Sequence, residues 1–137
     1  MQLLLDTGPW VALHCRDDNY HAWATAQFAS HPGPFLTCEA VVAETCILLA
    51  RAGFDPGKAL MLVERGVVQI AMSLHEEIAA VRALFERYDN VPASLADACL
   101  IRLSELHDPS RLLTLDSDFH TYRRHGRKSI GLVTPNR

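Results

Sequence analysis

Lysine is nearly absent from this 137-residue chain: Lys58 and Lys128 stand against eleven arginines. Acids outnumber bases, and the net charge of −3 excludes a molecule that is basic as a whole and binds nucleic acid on that ground alone. The cationic side chains it does carry suit bidentate contact with phosphate. Aromatic residues make up only 7%, too few to favour the sugar-stacking groove of a two-carboxylate glycosidase. The four cysteines form no C-x-x-C pair and the seven histidines no H-E-x-x-H motif, which removes the common zinc signatures. P-loop, G-x-G-x-x-G and G-x-S-x-G motifs are also missing. No apolar run is long enough to span a bilayer, so no membrane contact is expected. The opening Met-Gln-Leu-Leu-Leu-Asp has no basic stretch and meets an acid too early for a signal peptide. Cys46 and Cys99 lie in apolar helical stretches and are expected to be buried thiols in a reducing, cytoplasmic compartment.

What the chain does have is 49% hydrophobic residues in a length typical of one domain. Leu3-Leu4-Leu5 leaves no polar face, as in a strand covered on both sides. Further strands are expected at Phe35–Thr37, Val67–Ile70, Leu112–Leu115 and Ile130–Val133. Between them, helical patterns run over Pro9–His14, Asn19–Ser30, Thr37 or Cys38 to Ala52, and Asp55 to Gly66. A capping box at Ser73-Leu74-His75-Glu76 opens another helix. Asn90-Val91-Pro92 breaks the chain before a helix from Ser94 to Leu106, a short helix begins at Asp116, and Thr134–Arg137 is a tail. Strands alternating with helices predict an α/β fold: a three-layer α/β/α arrangement with a parallel sheet, in one domain over residues 1–137.

Two strands run apolar into an aspartate, Leu3-Leu4-Leu5-Asp6 and Leu113-Thr114-Leu115-Asp116. In a parallel sheet both acids fall on the carboxyl edge, where ligands bind, and they meet if their strands are neighbours across a switch point. Asp6 also reads as a helix cap. Glu44 is the lone charge between Glu39 and Arg51 in an apolar helix, placed either at an inward-facing site or on that helix's one solvent-facing stripe. Asp97 is a lone charge in Ser94-Leu95-Ala96-Asp97-Ala98 and doubles as the third residue of a capping box. Carboxylates clustered without histidine or cysteine suit Mg²⁺ or Mn²⁺. Ions held this way serve phosphodiester cleavage.

These motifs together, Leu-Leu-Leu-Asp6-Thr-Gly-Pro, Val-Val-Ala-Glu44-Thr, Ser-Leu-Ala-Asp97-Ala and Leu-Thr-Leu-Asp116-Ser-Asp118-Phe, resemble the PIN-domain nucleases, in particular the VapC-type toxins of prokaryotic toxin–antitoxin pairs. The resemblance spans essentially the whole chain. It implies a five-stranded parallel sheet and an acidic Mg²⁺ or Mn²⁺ site at Asp6, Glu44, Asp97 and Asp116, with Asp118 as an additional acid. It further implies cleavage of RNA, a homodimer and an inhibitory antitoxin partner. RNA processing outside such a pair is the alternative within the family, and a PIN-like scaffold that binds RNA without cleaving it is a second. A phosphoacceptor signalling domain is a third, but it calls for an acid pair directly after the first strand, where Asp6 stands alone.

Arg123, Arg124, Arg127 and Lys128 form the only basic run, with Tyr122 before it. It reads either as a guide for RNA phosphates with a base stacked on Tyr122, or as a solvated loop. Thr7, Ser94 and Thr114 either orient the carboxylates or act as ordinary caps. Trp10 and Trp23 are expected in the core or at an interface.

Overall fold

The computed structural model describes residues 1–91 and 93–135; Pro92 of the expected break and Asn136-Arg137 of the expected tail lie outside them. Strand β1 (Gln2–Leu5) is the centre of the molecule, and Leu4 and Leu5 are fully buried. It pairs in parallel with β2 (Phe35–Thr37) on one side and β4 (Ser110–Leu113) on the other. Strand β3 (Val68–Ile70) extends the sheet beyond β2, and β7 (Leu132–Val133) extends it beyond β4. The five-stranded parallel order is therefore β3-β2-β1-β4-β7. The winding reverses between β1 and β4, which makes that seam the switch point.

The β1–β2 crossover carries α1 (Thr7–His14) and α2 (His21–Ser30), and the β2–β3 crossover carries α3 (Glu39–Arg51) and α4 (Pro56–Glu64). These four pack on one another. The return crossover carries α5 (Ile78–Arg87) and α6 (Leu95–Leu106), which form their own pair. Right-handed crossovers in opposite directions along the sheet place the two groups on opposite faces. Helix α6 buries Ala98, Cys99, Leu100, Ile101 and Leu103, joining the leucines of β1 and β4 in one core cluster.

Several boundaries differ from the expected ones for identifiable reasons. Strand β4 starts and ends two residues early, because it pairs Gln2 with Ser110 and Leu5 with Leu113. Helix α2 starts at His21, since the Asp18 carboxylate accepts from Tyr20 N (2.8 Å) and closes a turn there instead of capping a helix. Ser73 Oγ does accept from Glu76 N (3.3 Å), but residues 74–77 form turns and regular helix begins only at Ile78. The basic run is a two-stranded antiparallel hairpin of β5 (Arg123–Arg124) and β6 (Lys128–Ser129), not a loop. Its connection turns through left-handed backbone at His125 and Gly126 (φ 51° and 78°). Cys15, Cys38 and Cys99 are buried free thiols, whereas Cys46 is only half-buried. Trp10 is fully buried and Trp23 packs partly buried against the core. No helix among the described residues is long and apolar enough to cross a membrane.

Candidate active site at the carboxyl edge of the sheet

Asp6 follows the last residue of β1 and caps α1, its Oδ1 accepting from Thr7 N at 2.7 Å. Its backbone N–H reaches the Leu113 carbonyl of β4, which sets Thr114 beside it. Thr114 Oγ1 donates to Asp6 Oδ2 at 2.7 Å and accepts from Asp116 N at 2.9 Å. One buried threonine thus ties both strand-end aspartates together across the switch point. Burial is the main reason that the Asp6 carboxyl is pushed from its ordinary 3.8 up to about 6. The bonds from Thr114 and Thr7 oppose the shift, and the charges of Asp97 and Asp116 add to it.

Glu44 sits on α3, half-buried, and accepts from Thr7 Oγ1 at 3.0 Å. The helix is less enclosed than its apolar sequence suggests: Ala43, Ile47, Leu48 and Ala50 are exposed. Glu44 therefore borders solvent and cleft together. Asp97 lies in the first turn of α6 in a complete capping box, Ser94 N to Asp97 Oδ2 at 3.0 Å and Asp97 N to Ser94 Oγ at 3.1 Å. Its carboxyl is also raised, first by burial and then by Asp116 and Glu44, against the bond from Ser94. Capping and sharing in the acidic rim hold at once, because the first turn of α6 faces the strand ends.

Asp116 caps a 3-10 turn over Ser117–His120, with Oδ1 accepting from Asp118 N at 2.9 Å. Asp118 itself is exposed on that turn. An open cleft of about 530 Å³ is lined by Asp6, Thr7, Glu44 and Asp116 together with Ile47, Leu48, Arg51 and Leu115. Asp97 and Asp118 are not part of its wall. The ion pairs among the described residues join Arg82 to Glu86, Arg102 to Glu77 and Glu105, and Arg124 to Asp108. None neutralises Asp6, Glu44, Asp97 or Asp116.

This donor set fits a hard divalent cation. It offers only carboxylate and hydroxyl oxygens, none of its acids is in an ion pair among the described residues, and the carboxyls of Asp6 and Asp97 are raised first by burial and then by their acidic neighbours. Among the described residues no three acidic, histidine or cysteine side chains converge tightly enough to form a ready-made shell. A cation would have to draw them in.

Tyr122 is fully buried and cannot stack a base from solvent. Its ring packs edge-on against Tyr88 and Phe119, and its hydroxyl donates to Asp97 Oδ2 at 3.4 Å. Burial and the neighbouring acids push that phenol upward. This orienting contact was not legible from the sequence, which separates the two residues by the rest of α6, β4 and the 3-10 turn. The arginines beside it are engaged within the protein. Arg123 Nη1 donates to the carbonyls of His120, Thr121 and Tyr122, and Arg124 donates to Ser104 O (2.7 Å) and Asp108 Oδ1 (3.2 Å). Arg127 and Lys128 remain exposed.

The fold has a solved counterpart. The crystal structure of VapC20 from Mycobacterium tuberculosis, described as a sarcin–ricin-loop-cleaving toxin, superimposes with a TM-score of 0.79 at 24% identity, over 88% of this chain and 94% of that one. No curated protein matches the sequence. Residues 3–124, from β1 into the hairpin, match the family profile of the PIN domain, and the chain belongs to the PIN-domain family.

Proposed function

We propose that residues 1–137 act as a single nuclease domain, a metal-dependent endoribonuclease of the VapC toxin type. The observation that carries this reading is the set of four carboxylates on one sheet edge with no cation paired to any of them. Asp6, Glu44, Asp97 and Asp116 would hold Mg²⁺ or Mn²⁺, with Asp118 as an outlying acid. Such an ion, when bound, supplies activation of water and charge neutralisation at a phosphodiester. The chain's own part is orientation: Thr114 fixes Asp6, Thr7 fixes Glu44, and Tyr122 with Ser94 fixes Asp97. Arg127 and Lys128 offer exposed positive charge for flanking phosphates. A homodimer, an antitoxin partner and a cytoplasmic location belong to the same reading.

The test is cleavage of structured RNA, a sarcin–ricin stem-loop first because the VapC20 counterpart is described as cutting it, with Mg²⁺, Mn²⁺ or EDTA present. Metal-dependent cuts lost in Asp6→Asn are expected; cuts that persist in EDTA or in the variant would overturn the proposal. A non-catalytic RNA-binding role is the second reading, favoured by the lack of three convergent donors among the described residues. It predicts binding without cleavage under every metal condition.

A further inference from the structure

Glu44, Ile47, Leu48 and Arg51 follow the spacing i, i+3, i+4, i+7 and so share one face of α3. That face is a wall of the cleft. Along it the order is acid, two apolar residues, then a cation, with Arg51 roughly 10 Å beyond Glu44 along the helix axis. Ile47 and Leu48 are 49% and 43% exposed, and Arg51 is exposed and in no ion pair among the described residues. The arginines near Asp116 in sequence, Arg111, Arg123 and Arg124, each donate to oxygens within the protein. The free guanidinium in the cleft is that of Arg51.

We infer that this face of α3 is the track for a single-stranded RNA segment entering the acidic site, with Arg51 holding a phosphate that flanks the scissile one and Ile47 and Leu48 receiving an unstacked base. The inference rests on the nuclease reading and names how its substrate is held. A guanidinium matches a phosphate in bidentate geometry, and flipped or unstacked bases are received against apolar as well as aromatic side chains. The cleft volume of about 530 Å³ falls in the range of small-ligand sites, suited to one or two nucleotides and not to a duplex. A polyanion also brings charge complementary to the one cation on a wall that otherwise ends in acids.

Steady-state cleavage of a short single-stranded RNA by wild type, Arg51→Ala, Arg51→Lys and Ile47→Ser, across a salt series, tests it. In Arg51→Ala the KM is expected to rise about tenfold, the equivalent of one charged contact, with kcat at saturating RNA held within roughly twofold. The salt dependence should flatten by about 0.7, one phosphate contact. Arg51→Lys should restore the slope but not all of the affinity. Ile47→Ser should raise KM without changing the slope. Melting curves guard against misfolding, which an exposed last-turn arginine is not expected to cause. Wild-type KM and slope in Arg51→Ala, with cleavage intact, overturn this inference alone. Unchanged RNA parameters in Ile47→Ser alongside a changed mass in light scattering assign the face to a protein contact and overturn it too. Failure of the wild type itself to cleave with any metal defeats the nuclease reading beneath it, an outcome seen in a different arm.

Discussion

At the scale of the residue, the consequential fact is that Asp6 is a carboxylate the fold does not welcome in ionised form. Its carboxyl titrates near 6 in place of 3.8 because burial outweighs two good hydrogen bonds. A raised folded value means that the protonated form is favoured by the native state. The stability this contributes is complete below about pH 3.8 and is lost as pH rises through 6. The metal-free protein should therefore lose on the order of 3 kcal/mol between pH 4 and pH 7 from this group alone, an upper figure since neighbours adjust. Asp6→Asn should flatten that slope and melt higher than wild type at pH 7 in EDTA, while being inactive. Thermal melts from pH 4 to 7.5 decide it; an equal slope in the variant would count against the burial account. Thr114 makes a second test. Thr114→Val removes the donor that holds Asp6 down and leaves Asp116 N unpaired, a cost of about 1–3 kcal/mol. In metal-free thermal melts the pH-dependent loss of stability should move to higher pH, and an unmoved transition would separate Thr114 from the titrating group.

At the scale of the element, local signals were legible where the chemistry is local. The Ser94–Asp97 box, the Asp55-Pro56 start of α4 and the buried leucines of β1 each stand in the sequence as they stand in the fold. The β5–β6 hairpin was not legible. Its strands have two residues each, too short for alternation, and what fixes it is distant: Arg124 on Ser104 O, Arg87 on Gly126 O, Glu105 on His125 N. Arg124 is accordingly a structural arginine. Arg124→Ala should destabilise the protein by about 1–3 kcal/mol, because a carbonyl on a largely buried helix loses its partner. Arg127→Ala with Lys128→Ala should leave stability unchanged and weaken RNA binding uniformly across sequences. Urea unfolding and RNA titration on the two variants separate these roles. The opposite pattern, with the Arg124 variant stable and binding-impaired, would restore the basic run to a phosphate guide.

At the scale of the whole molecule, alternation of strands and helices made a parallel sheet legible, but strand order follows from which crossovers pack together, and no single segment encodes that. The seating of Asp6 beside Asp116 depended on β1 and β4 being neighbours, which only the fold supplies. Exposed apolar side chains fall on α3, on α4 and around β3 (Leu60, Met61, Val67, Ile70), and on α5 and α6; two of these faces bear on function. One is the α3 wall of the cleft. The other lies on α5, whose Ile78 and Phe85, spaced i and i+7, are 50% and 42% exposed. We propose α5 as a self-association surface, since neither Ile78 nor Phe85 lines the cleft. Two charges placed in a desolvated apolar contact cost far more than they do on an open surface. Ile78→Asp with Phe85→Asp should therefore convert a dimer to a monomer in light scattering while keeping the fold, since both side chains are half in water already. RNA cleavage per chain should persist. A double variant that stays dimeric, or a wild type that is monomeric at high concentration, would remove α5 as the self-association surface.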